Sequence, residues 1–220
     1  MVLHETQPLR WAGLPPHEAR AALVLLHGRG GSADDMLALA RPWNKLPGWT
    51  QVALQAAGHT WYPYRFMAPL AQNEPWLSSA IQAVIAAVAR LEAHGITPER
   101  TVLLGFSQGA CLALEFAARH ARRYGGVVGL SGGLIGPEGL ERQDAGTLDG
   151  TPVFLGCSDD DPHIPVHRVH HAASVLTVLG GTVTTRLYPG WGHTVHPDAL
   201  AAVDDLLHQV THAPSLSMNP

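Results

Sequence analysis

Short apolar runs, each followed by a segment of helical periodicity, constrain this chain more than any other feature. The runs are Ala21–Leu26, Trp49–Leu54, Thr101–Phe106, Gly126–Leu130 and 152–156, while Thr182–Tyr188 alternates. Runs of this length suit strands, and strands apolar at consecutive positions are buried on both faces. Helices are predicted over about 33–41, 76–93, 108–120, 166–179 and 197–210. In the second of these, Leu77, Ala80, Ile81, Val84, Ile85, Val88 and Leu91 fall at three- and four-residue steps, which makes one apolar face. Strand and helix in regular alternation imply an α/β architecture, a mostly parallel sheet with helices on both faces. In open sheets of that kind, ligands bind at the carboxyl ends of the strands. The segments just after each strand are therefore where chemistry is expected.

One such segment is Gly105-Phe106-Ser107-Gln108-Gly109. It sits between the strand 101–106 and the helix 108–120, so Ser107 occupies a sharp strand-to-helix turn with glycine two residues to either side. This is the G-x-S-x-G pattern in the context that a nucleophilic serine needs. The serine must take a strained backbone conformation so that its hydroxyl projects above the sheet. Side chains at the flanking positions would strike the neighbouring strand or helix. The new helix also aims its first N–H groups at the place where negative charge would develop.

A serine hydroxyl is a weak nucleophile and needs a base, and the base needs an orienting group. The expected chain order is serine, acid, histidine. After the strand 182–188 comes Pro189-Gly190-Trp191-Gly192-His193, which makes His193 the candidate base. After the strand 152–156 come Asp159, Asp160 and Asp161. Spacing alone leaves all three open as the acid. Pro162 stiffens the turn after Asp161 and favours it; Asp159 is second and Asp160 third, and the two not used are expected to be solvated. An oxyanion site needs two backbone donors. One is the N–H of Gln108; the other is expected from the glycine-rich loop His27-Gly28-Arg29-Gly30-Gly31. That loop lacks the spacing of a phosphate cradle. The irregular stretch 58–76 is aromatic and prolyl, and long irregular segments within a domain are usually functional. Trp61, Tyr64, Phe66, Met67, Trp76 and Trp191 are the candidate pocket walls. Apolar walls suit an uncharged acyl or aryl ester.

Composition excludes more than it identifies. The chain has 220 residues, enough for one large core, and is read as a single domain with residues 1–20 as an irregular lead-in and 211–220 as a flexible tail. A net charge of −4 with no like-charge block gives no reason to expect nucleic acid. No apolar leader or spanning run is visible, so no membrane insertion and a cytoplasmic location are expected. Cys111 and Cys157 lie in apolar stretches and read as buried thiols. His163, His167, His170 and His171 fall partly at helical spacing, but no third ligand follows from the pattern, so no metal and no cofactor are expected. Exposed aromatics near the site leave a homodimer open. A non-catalytic binding protein on the same fold would be expected to have lost one member of the constellation, and here every member is present.

Taken together, His27-Gly28-Arg29-Gly30-Gly31, Gly105-Phe106-Ser107-Gln108-Gly109, the stretch from Gly156 to Pro165, and Pro189-Gly190-Trp191-Gly192-His193 resemble the phospholipase/carboxylesterase family of α/β-hydrolases. That family includes small bacterial carboxylesterases and acyl-protein thioesterases. The resemblance implies an α/β-hydrolase fold without a separate cap domain. It implies Ser107 as nucleophile, Asp161 as acid and His193 as base, with the N–H groups of Arg29 and Gln108 as oxyanion donors. It also implies a serine carboxylesterase that works through an acyl-enzyme on a small-molecule ester. A thioesterase or lysophospholipase on the same residues is the alternative. The stretch Trp61–Phe66 is more similar to the bacterial esterase branch than to the thioesterases.

Overall fold

A computed structural model describes residues 3–212, and for His212 the backbone alone. Seven strands form one sheet in the order β1 (Arg10–Gly13), β3 (Trp49–Leu54), β2 (Ala21–Leu26), β4 (Thr101–Phe106), β5 (Gly126–Leu130), β6 (Pro152–Ser158) and β7 (Thr182–Tyr188). Only the β1–β3 pairing is antiparallel. The strands from β3 through β7 run parallel to one another. The helices are α1 (Ala33–Leu39), the single turn α2 (Leu70–Asn73), α3 (Trp76–Ala93), α4 (Gln108–Arg119), α5 (Val166–Val178) and α6 (Pro197–His212).

Alternation along each strand divides the core in two. Val24 and Leu26 of β2 join one cluster with Val84, Leu112 and Leu176, from α3, α4 and α5. Leu23 and Leu25 join the other with Met36, Val203 and Leu207, from α1 and α6. The consecutive apolar runs thus reflect burial on two faces. Helix α3 is long and apolar enough to cross a membrane by composition, and half of it is buried within the fold. Its apolar stripe, from Leu77 through Leu91, packs into the first cluster.

Several expectations need correction. Residues 1–20 are more than a lead-in, because they supply the edge strand β1. Four residues flanked by prolines, half-buried only at Trp11 and Ala12, carry too little pattern to be read as a strand. His4 is buried as well: its Nδ1 accepts from the Ala57 N–H at 3.1 Å and its Nε2 donates to the Trp61 carbonyl at 3.0 Å. The helix at 33–41 stops at Leu39 and a 3₁₀ turn, Arg41–Lys45, follows it. Pro42 lacks the N–H that would continue the α-helical ladder. Strand β6 continues to Ser158, in register with Tyr188. Helix α6 reaches His212, and the rest of the expected tail lies outside the described residues.

From β2 the chain crosses to β3 on one side, then returns to lay β4 on the other. Connections therefore diverge at the carboxyl ends of β2 and β4, which opens a crevice between them. Leu26 pairs with Gly105 there. The loop after Leu26 and the turn at Ser107 become neighbours by this register alone.

Candidate active site

Ser107 has φ 53° and ψ −118°, a left-handed conformation rare for a residue with a side chain. Two close contacts hold it there. A Cβ on Gly105 would overlap the Gly109 carbonyl, and one on Gly109 would overlap the carbonyls of Leu26 and His27. Only glycine at both positions lets α4 start this close to β2 and β4. The Ser107 N–H donates to the Leu130 carbonyl at 2.9 Å, and its own carbonyl accepts the first helical bond, from Cys111, at 3.0 Å. The backbone is thus tied on both sides and the hydroxyl is left pointing outward.

That hydroxyl lies 2.8 Å from His193 Nε2, and His193 Nδ1 lies 2.7 Å from Asp161 Oδ2. A carboxylate accepts only, so Nδ1 carries the ring proton and Nε2 is the bare nitrogen facing Ser107. The other oxygen, Asp161 Oδ1, accepts from the backbone N–H groups of His163 at 2.8 Å and Ile164 at 3.0 Å. The Asp161 side chain is fully buried while that of His193 is 20% exposed, so the carboxylate is shielded and the imidazole faces the cavity. Phe106 and His163 pack their rings against His193, with centroids 5.2 and 4.7 Å away.

Asp159 and Asp160 do not reach His193. Asp159 accepts from the Gly190 N–H at 2.9 Å and Asp160 from the Gly192 N–H at 2.8 Å. Ser158 Oγ accepts from the N–H groups of Trp191 and Gly192 at 2.9 and 3.0 Å. The Ser158 hydroxyl and the Gly192 N–H together hold the Asp160 carboxyl below its ordinary range. Both are exposed turn residues, as expected; in addition they staple the loop that carries His193 to the end of β6.

The loop after β2 faces Ser107 from the other side. Gly28 passes so close that a Cβ there would stand 3.3 Å from that of Ser107. Among the described residues, the Arg29 N–H is given to no protein acceptor. The Gln108 N–H, in the first position of α4, lies ahead of the helical ladder. The Arg29 guanidinium donates to the carbonyls of Tyr62, Pro63 and Tyr64 at 2.9, 2.9 and 2.7 Å. The Gln108 side chain accepts from the Trp61 N–H at 2.9 Å and donates to the Tyr62 carbonyl at 2.7 Å. The two residues at the site's backbone donors thus also clamp the aromatic loop with their side chains. Sequence reasoning missed this second use, for which no local pattern exists.

The site opens into a cavity of about 610 Å³ lined by the loop from Tyr62 to Phe66, by Arg29, Ser107, Gln108 and Cys111, and by His163, Ile164 and His193. Of the expected walls, Tyr64 and Phe66 line it. Trp61, Met67, Trp76 and Trp191 do not. Trp61 is fully buried and off the cavity lining, its Nε1 donating to the His27 carbonyl at 2.8 Å and its ring in contact with those of His4 and His27. Met67 and Trp76 pack on the core. Trp191 is 44% exposed and rests on His196 instead. Aromatic type alone does not say which side of an irregular loop faces in. Cys111 could have been found, since four residues after Ser107 is one helical turn along the same face. Burial pushes its thiol up to about 12, so it remains a neutral wall group. Cys157, buried beside Asp161, is likewise pushed up to about 12. His167, His170 and His171 are exposed on α5. Among the described residues no three His, Cys, Asp or Glu converge on a metal position.

Comparison with known proteins places the fold in a family. Residues 14–211 match the phospholipase/carboxylesterase family. A phospholipase/carboxylesterase from Dyadobacter fermentans superposes with a TM-score of 0.89 at 41% identity, over 94% of this chain and 99% of that one. Esterase PE8 superposes with a TM-score of 0.76 at 29% identity, over 96% and 100%. An acyl-protein thioesterase 1 from Gibberella zeae is 35% identical over 124 residues, 52% of this chain and 50% of that protein. One from Saccharomyces cerevisiae is 42% identical over 48% of each. The chain spans about half the length of such curated relatives. With the family match running from just after β1 into α6, the chain belongs to the phospholipase/carboxylesterase family and has its α/β-hydrolase fold.

Proposed function

We propose that this protein is a serine hydrolase of carboxylic esters, with Ser107, His193 and Asp161 as its catalytic residues. The observation that carries the reading is the unbroken relay from Ser107 Oγ through His193 to a buried carboxylate, at 2.8 and 2.7 Å. As the hydroxyl oxygen attacks the ester carbonyl, His193 Nε2 takes its proton. Asp161 holds the imidazole in the required tautomer and stabilises the imidazolium. The carbonyl oxygen becomes an oxyanion, held by the N–H groups of Arg29 and Gln108. His193 returns the proton to the departing alcohol and leaves an acyl-enzyme at Ser107. Water, deprotonated by the same histidine, then releases the acid. A cavity of about 610 Å³ suits a small-molecule ester with a short- to medium-chain acyl or aryl group. Relatives named acyl-protein thioesterase support thioesters as a second class on the same residues. None of the steps calls on a cofactor.

Purified protein is expected to hydrolyse a short-chain aryl ester and to be labelled by a fluorophosphonate at Ser107. Ser107→Ala lowers kcat by on the order of 10⁴–10⁶ and abolishes the label. Ordinary turnover by that variant would refute the reading.

A further inference from the structure

The cavity lining differs in sign from the rest of the protein. The chain has 14 Lys and Arg against 18 Asp and Glu. The lining holds Arg29 and Arg65 and no aspartate or glutamate. Arg29 spends its donors on three carbonyls, which orient the guanidinium without neutralising its charge. Arg65 is exposed at the cavity and, among the described residues, its guanidinium has no hydrogen-bond or ion-pair partner. A third guanidinium stands behind the wall. Arg168 is buried, its centre 5.1 Å from the Phe66 ring centroid. Its Nη2 donates to the carbonyls of Leu134 and Gly136 at 2.7 and 2.9 Å, and its Nη1 finds no partner.

Arg29, Arg65 and Arg168 surround the cavity without an ion pair. The buried carboxylates behind the same walls are already matched, Asp161 by His193 and two backbone N–H groups and Glu115 by Arg119 and Arg142, so the potential that reaches the cavity is positive. A guanidinium without a partner presents a planar fork that fits a carboxylate with two parallel hydrogen bonds. Arg29 and Arg168 are already committed to backbone carbonyls, so Arg65 is the one able to turn toward a ligand. The ordinary fate of an exposed loop arginine is solvation. Here its position on the lining and the charges beside and behind it distinguish it. We infer that the site takes esters carrying a second, anionic group such as a free carboxylate, and that Arg65 is the specificity residue that recognises it. The inference rests on the ester-hydrolase reading above and replaces the uncharged ester expected from the aromatic stretch.

The test uses matched pairs of substrates. One pair places the charge on the acyl side, mono(4-nitrophenyl) adipate against its methyl ester. The other places it on the alcohol side, 4-acetoxybenzoate against its methyl ester. In the wild-type protein at low salt, kcat/KM for the anionic member of at least one pair is expected to exceed that of the neutral member on the order of tenfold, through KM. Added salt shrinks the ratio. Arg65→Gln brings it close to one and Arg65→Lys keeps part of it. If esters are hydrolysed but neither pair shows an anionic preference, or if Arg65→Gln keeps the wild-type ratio, the inference is wrong and the hydrolase reading stands. If folded wild-type protein hydrolyses none of the four and Ser107 takes no fluorophosphonate, the hydrolase reading fails and takes this inference with it.

Discussion

Asp159, Asp160 and Asp161 are consecutive, chemically identical, and put to two different uses. Asp161 meets His193 at 2.7 Å, while its neighbours accept from the backbone of the loop that carries that histidine. Their difference is one of direction, set by the turn after β6. Asp161→Asn keeps the shape but offers the histidine a donor or a neutral acceptor, so the wrong tautomer is favoured; kcat is expected to fall about 10⁴-fold. Asp159→Asn still has an oxygen for the Gly190 N–H, and the expected loss is less than about tenfold. Steady-state kinetics on the two variants side by side decides this, and equal activities would mean that the acid is misassigned. The same scale shows what residue type cannot reveal. Trp61 and Tyr64 are three positions apart in one aromatic loop, yet one is fully buried off the cavity lining and the other lines the cavity. Local pattern could name the loop as a wall but not choose its inward-facing members.

At the scale of elements, the strand–turn–helix around Ser107 was legible because each of its requirements is local. An apolar run, a glycine, a serine and a second glycine already demand a sharp turn. The structure adds what the glycines avoid: the Gly109 carbonyl for Gly105, and the Leu26 and His27 carbonyls for Gly109. These obstacles are backbone and cannot rotate away. Gly109→Ala is therefore expected to cost about 3 kcal/mol, which for a chain of this length lowers Tm by roughly 6–12 °C. Calorimetry checks it, and an unchanged Tm would show that α4 can retreat from β2 freely. Strand β1 was not legible, since four residues, half-buried only at Trp11 and Ala12, carry no period long enough to read. It exists because the antiparallel edge of β3 offers it hydrogen bonds.

Across the whole molecule, the amino-terminal segment, the loop after β3 and the loop after β2 converge on Trp61 through two buried histidines. His4 donates to the Trp61 carbonyl, and His27 accepts the Ala56 N–H at 3.0 Å on Nε2 while Nδ1 donates to Gly28. Burial lowers the pKa of both from the ordinary 6.5. Above that value both folded and unfolded chains hold them neutral. As pH falls through it, the unfolded chain binds protons that the folded protein excludes, so stability present above about 6.5 is lost on acidification. The urea midpoint is expected to fall between about pH 7.5 and 5.5, and His4→Gln to flatten that dependence while lowering stability at the upper pH. A midpoint that does not change over this range would contradict the assignment. By itself the sequence determined the parallel sheet covered on both faces, the strand-to-helix turn that presents Ser107, and the segments that carry His193 and the three aspartates. Those follow from periodicity and turn chemistry, which act over a few residues. Only the tertiary structure decided which aspartate faces His193, which loop residues line the cavity, and that Arg29, Arg65 and Arg168 gather around it. Those depend on where β2, β4, β6 and β7 end relative to one another, and strand register is a property of the sheet rather than of any one segment.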